Sequence, residues 1–416
     1  MHEFNYKGNV LHCENVRIPA IAKKVGTPFY LYSHKTLVDH FRKLKEAFKE
    51  IDPLICFSMK SNSNLSVCRA LQREGAGFDI VSGGELYKAL KIGADPRKLV
   101  YASVGKKKDE IEEAIRRNIL FFNVESVPEL LHINSIARRM NRRVDVAIRV
   151  NPDVTPKTHR YITTGKKDTK FGLDLRSAEE IFDNCNRYPS LNVKGLHIHI
   201  GSQITEAAPF VKTLKRVKAF IETSRIDVET LNIGGGLGIV YSKEKPQTAK
   251  QFARAVMPIL KQIGLKVILE PGRFIAGNSG ILVMSVVYVK KTKTKKFVIV
   301  DAGINDLIRP TLYGAHHEIR PVVRNEFAKK EKVDVVGPIC ESGDFFARDR
   351  MMPELRSGNL AAIMSTGAYG FSMVSNYNAR PKPCEVMVSG GRFFVIRERE
   401  TYKDLIRGES IPGVLK

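Results

Sequence analysis

A lysine, a run of glycines, a carboxylate, two histidines and several arginines stand in this chain at the ends of apolar segments, where side chains can converge. Lys60 lies in Phe57-Ser58-Met59-Lys60-Ser61-Asn62, directly after an apolar run. An ammonium there faces a partly desolvated pocket, which lowers a lysine's pKa and readies it to form a Schiff base with a carbonyl. Gly234-Gly235-Gly236-Leu237-Gly238 offers backbone without Cβ atoms, so its N–H groups can close on an anion; a tight strand-to-helix turn would use the same glycines. Glu270-Pro271-Gly272-Arg273 adds a carboxylate and a countercharge for that anion. His197 and His199 alternate in His197-Ile198-His199-Ile200-Gly201-Ser202. Either can be a packed core histidine, and His199 lies nearer the end of its segment. Asp79, Arg149 and Ser202 stand at similar positions, although an aspartate in a strand or an arginine at its end also serves as a structural ion pair.

These groups work together only if the backbone brings them to one place. From residue 53 onward, short β-branched runs alternate with longer amphipathic stretches, the pattern of βα units on a parallel sheet. Eight runs read as strands: 53–57, 77–81, 98–102, 120–124, 144–150, 193–200, 228–233 and 267–269. Stretches such as 109–117, 128–140, 177–186, 210–223 and 249–263 carry apolar residues at helical spacing. Eight strands over about 220 residues suit a (β/α)8 TIM-like barrel, for which roughly 250 residues is typical, although an open doubly wound sheet uses similar segments. The barrel reading places Lys60 after strand one, Asp79 in strand two, Arg149 and His199 at the ends of strands five and six, the glycines after strand seven, and Glu270 with Arg273 after strand eight. Barrel enzymes carry their chemistry at that C-terminal face. Beyond Arg273 the rhythm changes to strands without long helices, at 281–289, 296–300, 333–336, 360–364, 384–389 and 392–397, with Gly390-Gly391 as a hairpin signal. The expected architecture is an α/β barrel over 33–278 and a C-terminal antiparallel β-sandwich or barrel domain over 279–416. The first 32 residues are short and strand-like and are expected to complete that second domain; a helix from about 34 to 49 follows them.

Composition narrows the class. The 416 residues are 43% hydrophobic and 27% charged, the balance of a folded globular protein. No stretch approaches the roughly 20 apolar residues that span a bilayer, and residues 1–10 hold no basic segment followed by an apolar run, so no membrane association and a cytoplasmic location are expected. The net charge of +24 collects in Lys106-Lys107-Lys108, Arg138-Arg139 with Arg142-Arg143, and 290–296. These runs are not interleaved with aromatics, so a solvated basic surface that attracts anionic small molecules accounts for them better than nucleic-acid binding. The six cysteines (Cys13, Cys56, Cys68, Cys185, Cys340, Cys384) show no metal or redox spacing, so no metal is expected and the thiols are read as reduced.

A Schiff-base lysine facing a phosphate site across a barrel mouth calls for a phosphorylated aldehyde, and pyridoxal 5′-phosphate is the natural one. Glu270 then pairs with the pyridine nitrogen and keeps it protonated, making the ring an electron sink. His199 is placed to lie flat against that ring. With these motifs in view, the chain resembles the diaminopimelate decarboxylase family of the fold-type III pyridoxal-phosphate enzymes, a group that includes ornithine and arginine decarboxylases and alanine racemases. The likeness covers nearly the whole chain. Lys60 matches the Schiff-base lysine, His199 the ring-stacking histidine, and Gly235-Gly236 with Glu270-Pro271-Gly272-Arg273 the cofactor cradle; Asp79, Arg149 and Ser202 match positions near the cofactor. The lysine motif departs from the commoner Tyr-Ala-x-Lys-Ala-Asn only in residues of similar size.

Three C-terminal motifs carry the resemblance to the decarboxylase branch. Cys340-Glu341-Ser342-Gly343-Asp344 resembles the segment bearing an acidic thiol and a substrate-reading carboxylate, contributed across a dimer interface. Arg309-Pro310-Thr311-Leu312-Tyr313 resembles the reader of a distal carboxylate, and Gly367-Ala368-Tyr369-Gly370 the tyrosine that touches phosphate and substrate. The resemblance therefore implies decarboxylation of meso-2,6-diaminopimelate to L-lysine, the last step of lysine biosynthesis, in a homodimer with shared active sites. Arg309 and Arg273 would fork onto the distal carboxylate and Glu341 onto the distal ammonium. Cys340 would deliver or assist the final proton transfer. A related decarboxylase for ornithine, arginine or a carboxylated polyamine shares the barrel motifs but has no use for Arg309, Tyr313 and Glu341 together. A racemase would need a tyrosine base on the second domain, and a non-catalytic pyridoxal-phosphate carrier would lack that domain.

Overall fold

The apolar runs close into an eight-stranded parallel barrel: β1 (Leu54–Ser58), β2 (Gly77–Ile80), β3 (Leu99–Tyr101), β4 (Phe121–Val124), β5 (Val144–Arg149), β6 (Leu191–His197), β7 (Thr230–Asn232) and β8 (Lys266–Leu269). β8 pairs with β1, Ile268 against Leu54 and Leu269 against Ile55, so the sheet has no edge and the open-sheet alternative is excluded. The computed structural model describes residues 2–154 and 170–415. Within them the barrel belongs to a unit spanning Leu37–Ala276, and the rest of the chain, 2–36 with 277–415, forms a second unit.

Local chemistry explains the barrel's outer layer. Helix Ala249–Ile263 begins at Thr248, whose hydroxyl takes the Gln251 N–H while the Gln251 side chain returns to the Thr248 N–H, satisfying two otherwise orphaned donors. It buries Phe252, Ala253, Val256, Met257 and Leu260 at three- and four-residue spacing and stops at Gly264, which adopts the left-handed conformation. Inside, Cys56, Val100, Phe121, Ala147 and Ile268 form one buried cluster, so the barrel is a packed core. β6 stops at His197 rather than continuing to 200, because its neighbour β7 ends at Asn232 and leaves only the Ile198 N–H to pair, with the Asn232 carbonyl at 2.8 Å. His199 thus lies just beyond the strand.

The second unit is mostly antiparallel and is completed by the chain's start. Strand Phe29–Ser33 lies between Gly280–Lys291 and Cys384–Ser389, antiparallel to the first and parallel to the second. Lys296–Val300 and Lys330–Val336 form another parallel pair. Phe4, Leu11, Ile18, Phe29, Leu31, Ile281, Val283, Val386 and Val388 share its core. Two expectations need correction. The first 32 residues are not strand-like throughout, because Ile18–Val25 is a helix, with Pro19 in its first turn and two lysines in its last. Strand Phe345–Pro353 was not anticipated: its Arg348-Asp349-Arg350 centre breaks the apolar alternation where the strand faces solvent.

Candidate active site

Two distant motifs meet at the barrel's C-terminal mouth through backbone contacts. The Ser58 N–H donates to the Pro271 carbonyl at 3.1 Å, which sets the turn Met59–Ser61 against the exit of β8. Gly272 makes this approach possible, since a Cβ there would come within 3.0 Å of the Ser61 Cβ. The glycine bend is tied to the same exit. The Glu270 N–H donates to the Gly234 carbonyl at 2.8 Å, and a Cβ on Gly235 would lie 2.1 Å from the Glu270 carbonyl oxygen. The Gly236 carbonyl accepts the Ile204 N–H at 2.9 Å. Close backbone packing is therefore one reason for these glycines, and it leaves the bend beside Arg273.

The side chains form a connected polar floor. Lys60 Nζ donates to Asp79 Oδ2 at 2.9 Å, and Ser58 Oγ donates to the same oxygen at 2.6 Å. Asp79 has no accessible surface, and that burial pushes its pKa up against the opposing charge of Lys60. Glu270 Oε1 accepts from Asn123 Nδ2 at 3.1 Å and Asn232 Nδ2 at 2.6 Å, and its Oε2 accepts from His197 Nε2 at 3.2 Å. Burial alone would raise the Glu270 pKa, but the charge and hydrogen bond of His197, with Lys60 beyond, hold the carboxyl well below its ordinary range. Glu270 is thus a carboxylate kept ionised in a desolvated place.

His197 is the buried member of the histidine pair, and it supports Glu270 rather than merely filling the core. His199 keeps part of its ring open to the mouth. Its Nδ1 accepts the Gly235 N–H at 3.2 Å, which leaves the ring's hydrogen on Nε2 in the neutral form. Surrounding protein, then the charges of Arg149 and Lys60, push its pKa well below the usual imidazole range, so it stays neutral. Arg149 is held by Glu125 Oε1 at 2.6 Å and lies over the Phe171 ring. Arg273 donates to Ser202 Oγ at 3.2 Å and to the Tyr241 hydroxyl at 2.5 Å.

The remaining candidates belong to the second unit. Arg309 opens the short helix Arg309–Tyr313 and is buried; its Nη1 lies 3.3 Å from His317 Nε2. His317 Nδ1 is 2.8 Å from the Met364 carbonyl, which can only accept, so Nδ1 carries the ring's hydrogen and Nε2 receives the arginine's. Tyr313 is half-buried at the end of that helix, and Tyr369 is half-buried with a backbone φ of 56°, in the left-handed region. Cys340 is exposed, with its N–H on Asn378 Oδ1 at 2.9 Å. Glu341 is exposed and accepts from the Tyr377 hydroxyl at 3.1 Å. Sequence reasoning missed Asn123, Asn232, Glu125 and Tyr241. A polar residue in an apolar strand, as in Phe121-Phe122-Asn123-Val124, was the available signal for the first.

The donor set at the mouth fits pyridoxal 5′-phosphate. It offers a primary amine, an ionised buried carboxylate, a neutral imidazole with an open face, and a guanidinium beside a hydroxyl and a glycine bend. Asp79 Oδ1 is buried with no hydrogen-bond partner from the chain, leaving an acceptor at the amine's side. The family described as "Pyridoxal-dependent decarboxylase, pyridoxal binding domain" matches residues 34–277, the barrel. Fold and site thus define a pyridoxal-dependent decarboxylase. A diaminopimelate decarboxylase of Aquifex aeolicus is 45% identical over 405 residues, 96% of either chain. The crystal structure of diaminopimelate decarboxylase from Helicobacter pylori complexed with L-lysine superposes with a TM-score of 0.90 at 41% identity, covering 94% of this chain and 98% of the other. That from M. jannaschii in co-complex with L-lysine gives 0.94 at 38% identity and 99% coverage of both. The chain belongs to the diaminopimelate decarboxylase family.

Proposed function

We propose that this chain removes carbon dioxide from one end of meso-2,6-diaminopimelate and releases L-lysine, the last step of lysine biosynthesis, with pyridoxal 5′-phosphate held at the barrel mouth. The observation that carries this reading is the meeting of an amine, Lys60 on buried Asp79, with a carboxylate, Glu270, locked by three donors. Pyridoxal phosphate supplies an aldehyde that captures amines and a pyridine ring that accepts the electron pair left by departing carbon dioxide. Lys60 would hold it through its amine, which Asp79 orients. Glu270 would accept a hydrogen bond from the ring nitrogen and so keep it protonated, with Asn123, Asn232 and His197 holding the carboxylate in place. His199 presents its neutral ring face, and Arg149 bounds the same space. Ser202, Gly235, Gly236 and Arg273 hold the phosphate, Pro271 and Gly272 fix where Arg273 emerges, and Tyr369 reaches phosphate and substrate.

At the substrate's far end, Arg309 and Arg273 bind the distal carboxylate, Tyr313 bounds it, and Glu341 pairs with the distal ammonium. Burying those partners penalises any amino acid that lacks the matching groups, because they would be left unpaired. Cys340 delivers the proton to the carbon that has lost carbon dioxide. Cys340 and Glu341 stand exposed on their own chain, which supports a homodimer in which they serve the partner's barrel. Six free thiols and the absence, among described residues, of a helix able to cross a membrane accord with a cytoplasmic enzyme. The test is direct: purified protein and pyridoxal phosphate are given meso-diaminopimelate, ornithine and arginine in turn, and carbon dioxide is measured. Release from diaminopimelate, with L-lysine formed in equal amount, is expected. Comparable kcat/KM on ornithine would overturn the substrate assignment.

A further inference from the structure

Behind the mouth lies a buried charged pair that the proposed mechanism does not use. Lys106, in the loop after β3, has no accessible side-chain surface, and Glu129, in helix Val127–Arg139, has 9%. Lys106 Nζ reaches three acceptors: Glu129 Oε1 at 2.5 Å, the Ser103 carbonyl at 2.9 Å and the Asn123 carbonyl at 2.8 Å. Glu129 Oε2 accepts the Glu125 N–H at 2.8 Å. Two backbone groups at the exit of β4 are therefore gripped from outside the barrel.

The residues so gripped carry the supports of the site. Asn123 and Glu125 are two apart, so on an extended backbone their side chains share one face. Asn123 donates to Glu270, and Glu125 receives Arg149 on one oxygen and the Gly172 N–H on the other at 3.0 Å. Burying an ammonium is costly, and packing alone is served as well by an apolar side chain of equal length. What such a side chain lacks is three fixed donors. Burial pushes the Lys106 pKa down and that of Glu129 up, each opposed by the partner's charge.

We propose that Lys106 and Glu129 are positioning residues that clamp the β4 exit, so that Asn123 and Glu125 hold Glu270 and Arg149 in register with the cofactor. This rests on the assignment of pyridoxal phosphate to Lys60. The test uses the full-length protein loaded with pyridoxal phosphate labelled with nitrogen-15 in the ring. Lys106→Met keeps length and removes the donors. Its cofactor Kd is expected to rise roughly tenfold or more, the scale on which losing a supporting partner of a ligand-holding group acts. The ring-nitrogen shift should move toward the deprotonated form, as it should in Asn123→Ala, and the two changes together should exceed neither alone by more than about twofold.

Lys106→Met/Glu129→Gln removes the stranded carboxylate and tests the alternative that charge imbalance alone does the damage. Under the clamp this double variant stays impaired. Recovery of wild-type affinity and ring-nitrogen shift by the double variant, or their retention in a folded Lys106→Met, overturns the clamp. Wild-type protein in which borohydride traps no cofactor on Lys60 overturns the functional assignment itself, and the clamp as a cofactor device falls with it.

Discussion

The barrel mouth and the loops of the second unit handle charge in opposite ways. At the mouth, Glu270 takes three donors and Asp79 two, all within a desolvated floor where hydrogen bonds are strong and geometry is fixed. Cys340 and Glu341 stand exposed on a turn, one fixed by its backbone N–H and the other touched by a tyrosine hydroxyl. An electron sink must be preorganised before substrate arrives, so its supports are built into one chain. Under the roles proposed for them, Cys340 and Glu341 have to be reached by substrate, and solvent screens an exposed charge there. The contrast teaches that the barrel mouth has its polar groups fixed within one chain, whereas the Cys340-Glu341 turn leaves its side chains open to solvent.

The sharpest break would come at the lysine. Lys60→Ala should abolish borohydride-trapped cofactor and lower kcat at least about 10³-fold, within the range for removing a positioned proton-transfer group; a trapped adduct of undiminished yield would move the aldehyde to another lysine. Cys340→Ala should keep the trapped cofactor and its affinity while kcat falls roughly 10²-fold, as for loss of a general acid. Mixing these two inactive variants sharpens the comparison further, because random dimers with shared sites should regain about a quarter of wild-type activity. No regain would place both residues in the same chain's site. Glu341→Gln is expected to cost about 10- to 100-fold in kcat/KM for diaminopimelate, the value of one hydrogen bond to a charged group, with cofactor binding unmoved in an absorbance titration.

The smallest effect concerns the second unit's own interior. Burial pushes the Asp306 carboxyl up to about 7, with the Gly303 N–H it accepts and the charge of Arg380 pulling the other way. A carboxyl raised in the fold favours folding while protonated. Its contribution is full below its unfolded pKa and is lost as pH rises toward about 7, with no further change above. Asp306→Asn should flatten that decline and raise stability at pH 8 by about 1–3 kcal/mol, read from denaturant unfolding at several pH values. A variant whose stability runs parallel to wild type from pH 4 to 8 would refute the buried-carboxyl explanation.

Much of this site was legible because strand exits are legible. Lys60, the glycine bend and Glu270 each follow an apolar run, and the βα alternation places every such exit on one face. Less legible were the supports. Asn123 and Glu270 are 147 residues apart, and a lone asparagine in an apolar strand reads equally as a strand end. Lys106 sits in a run of three lysines that composition assigns to a solvated surface, yet its side chain is wholly buried. The end of β6 follows the same logic: Ile198 and Ile200 continue the apolar alternation, but β7 ends at Asn232, whose carbonyl takes the Ile198 N–H.

The order of strands and helices, the turns that end them and the exits that carry reactive groups were determined by the sequence itself, since periodicity, caps and glycine act over a few residues. Which polar groups meet, and which of them keep their charge, was decided only by tertiary structure. Closing β8 against β1 carries Glu270 and Arg273 to the Lys60 turn, and only that closure creates the desolvated floor in which His199 is neutral and Glu270 ionised. Desolvation and long-range pairing belong to the packed ring as a whole, and no window of sequence contains them.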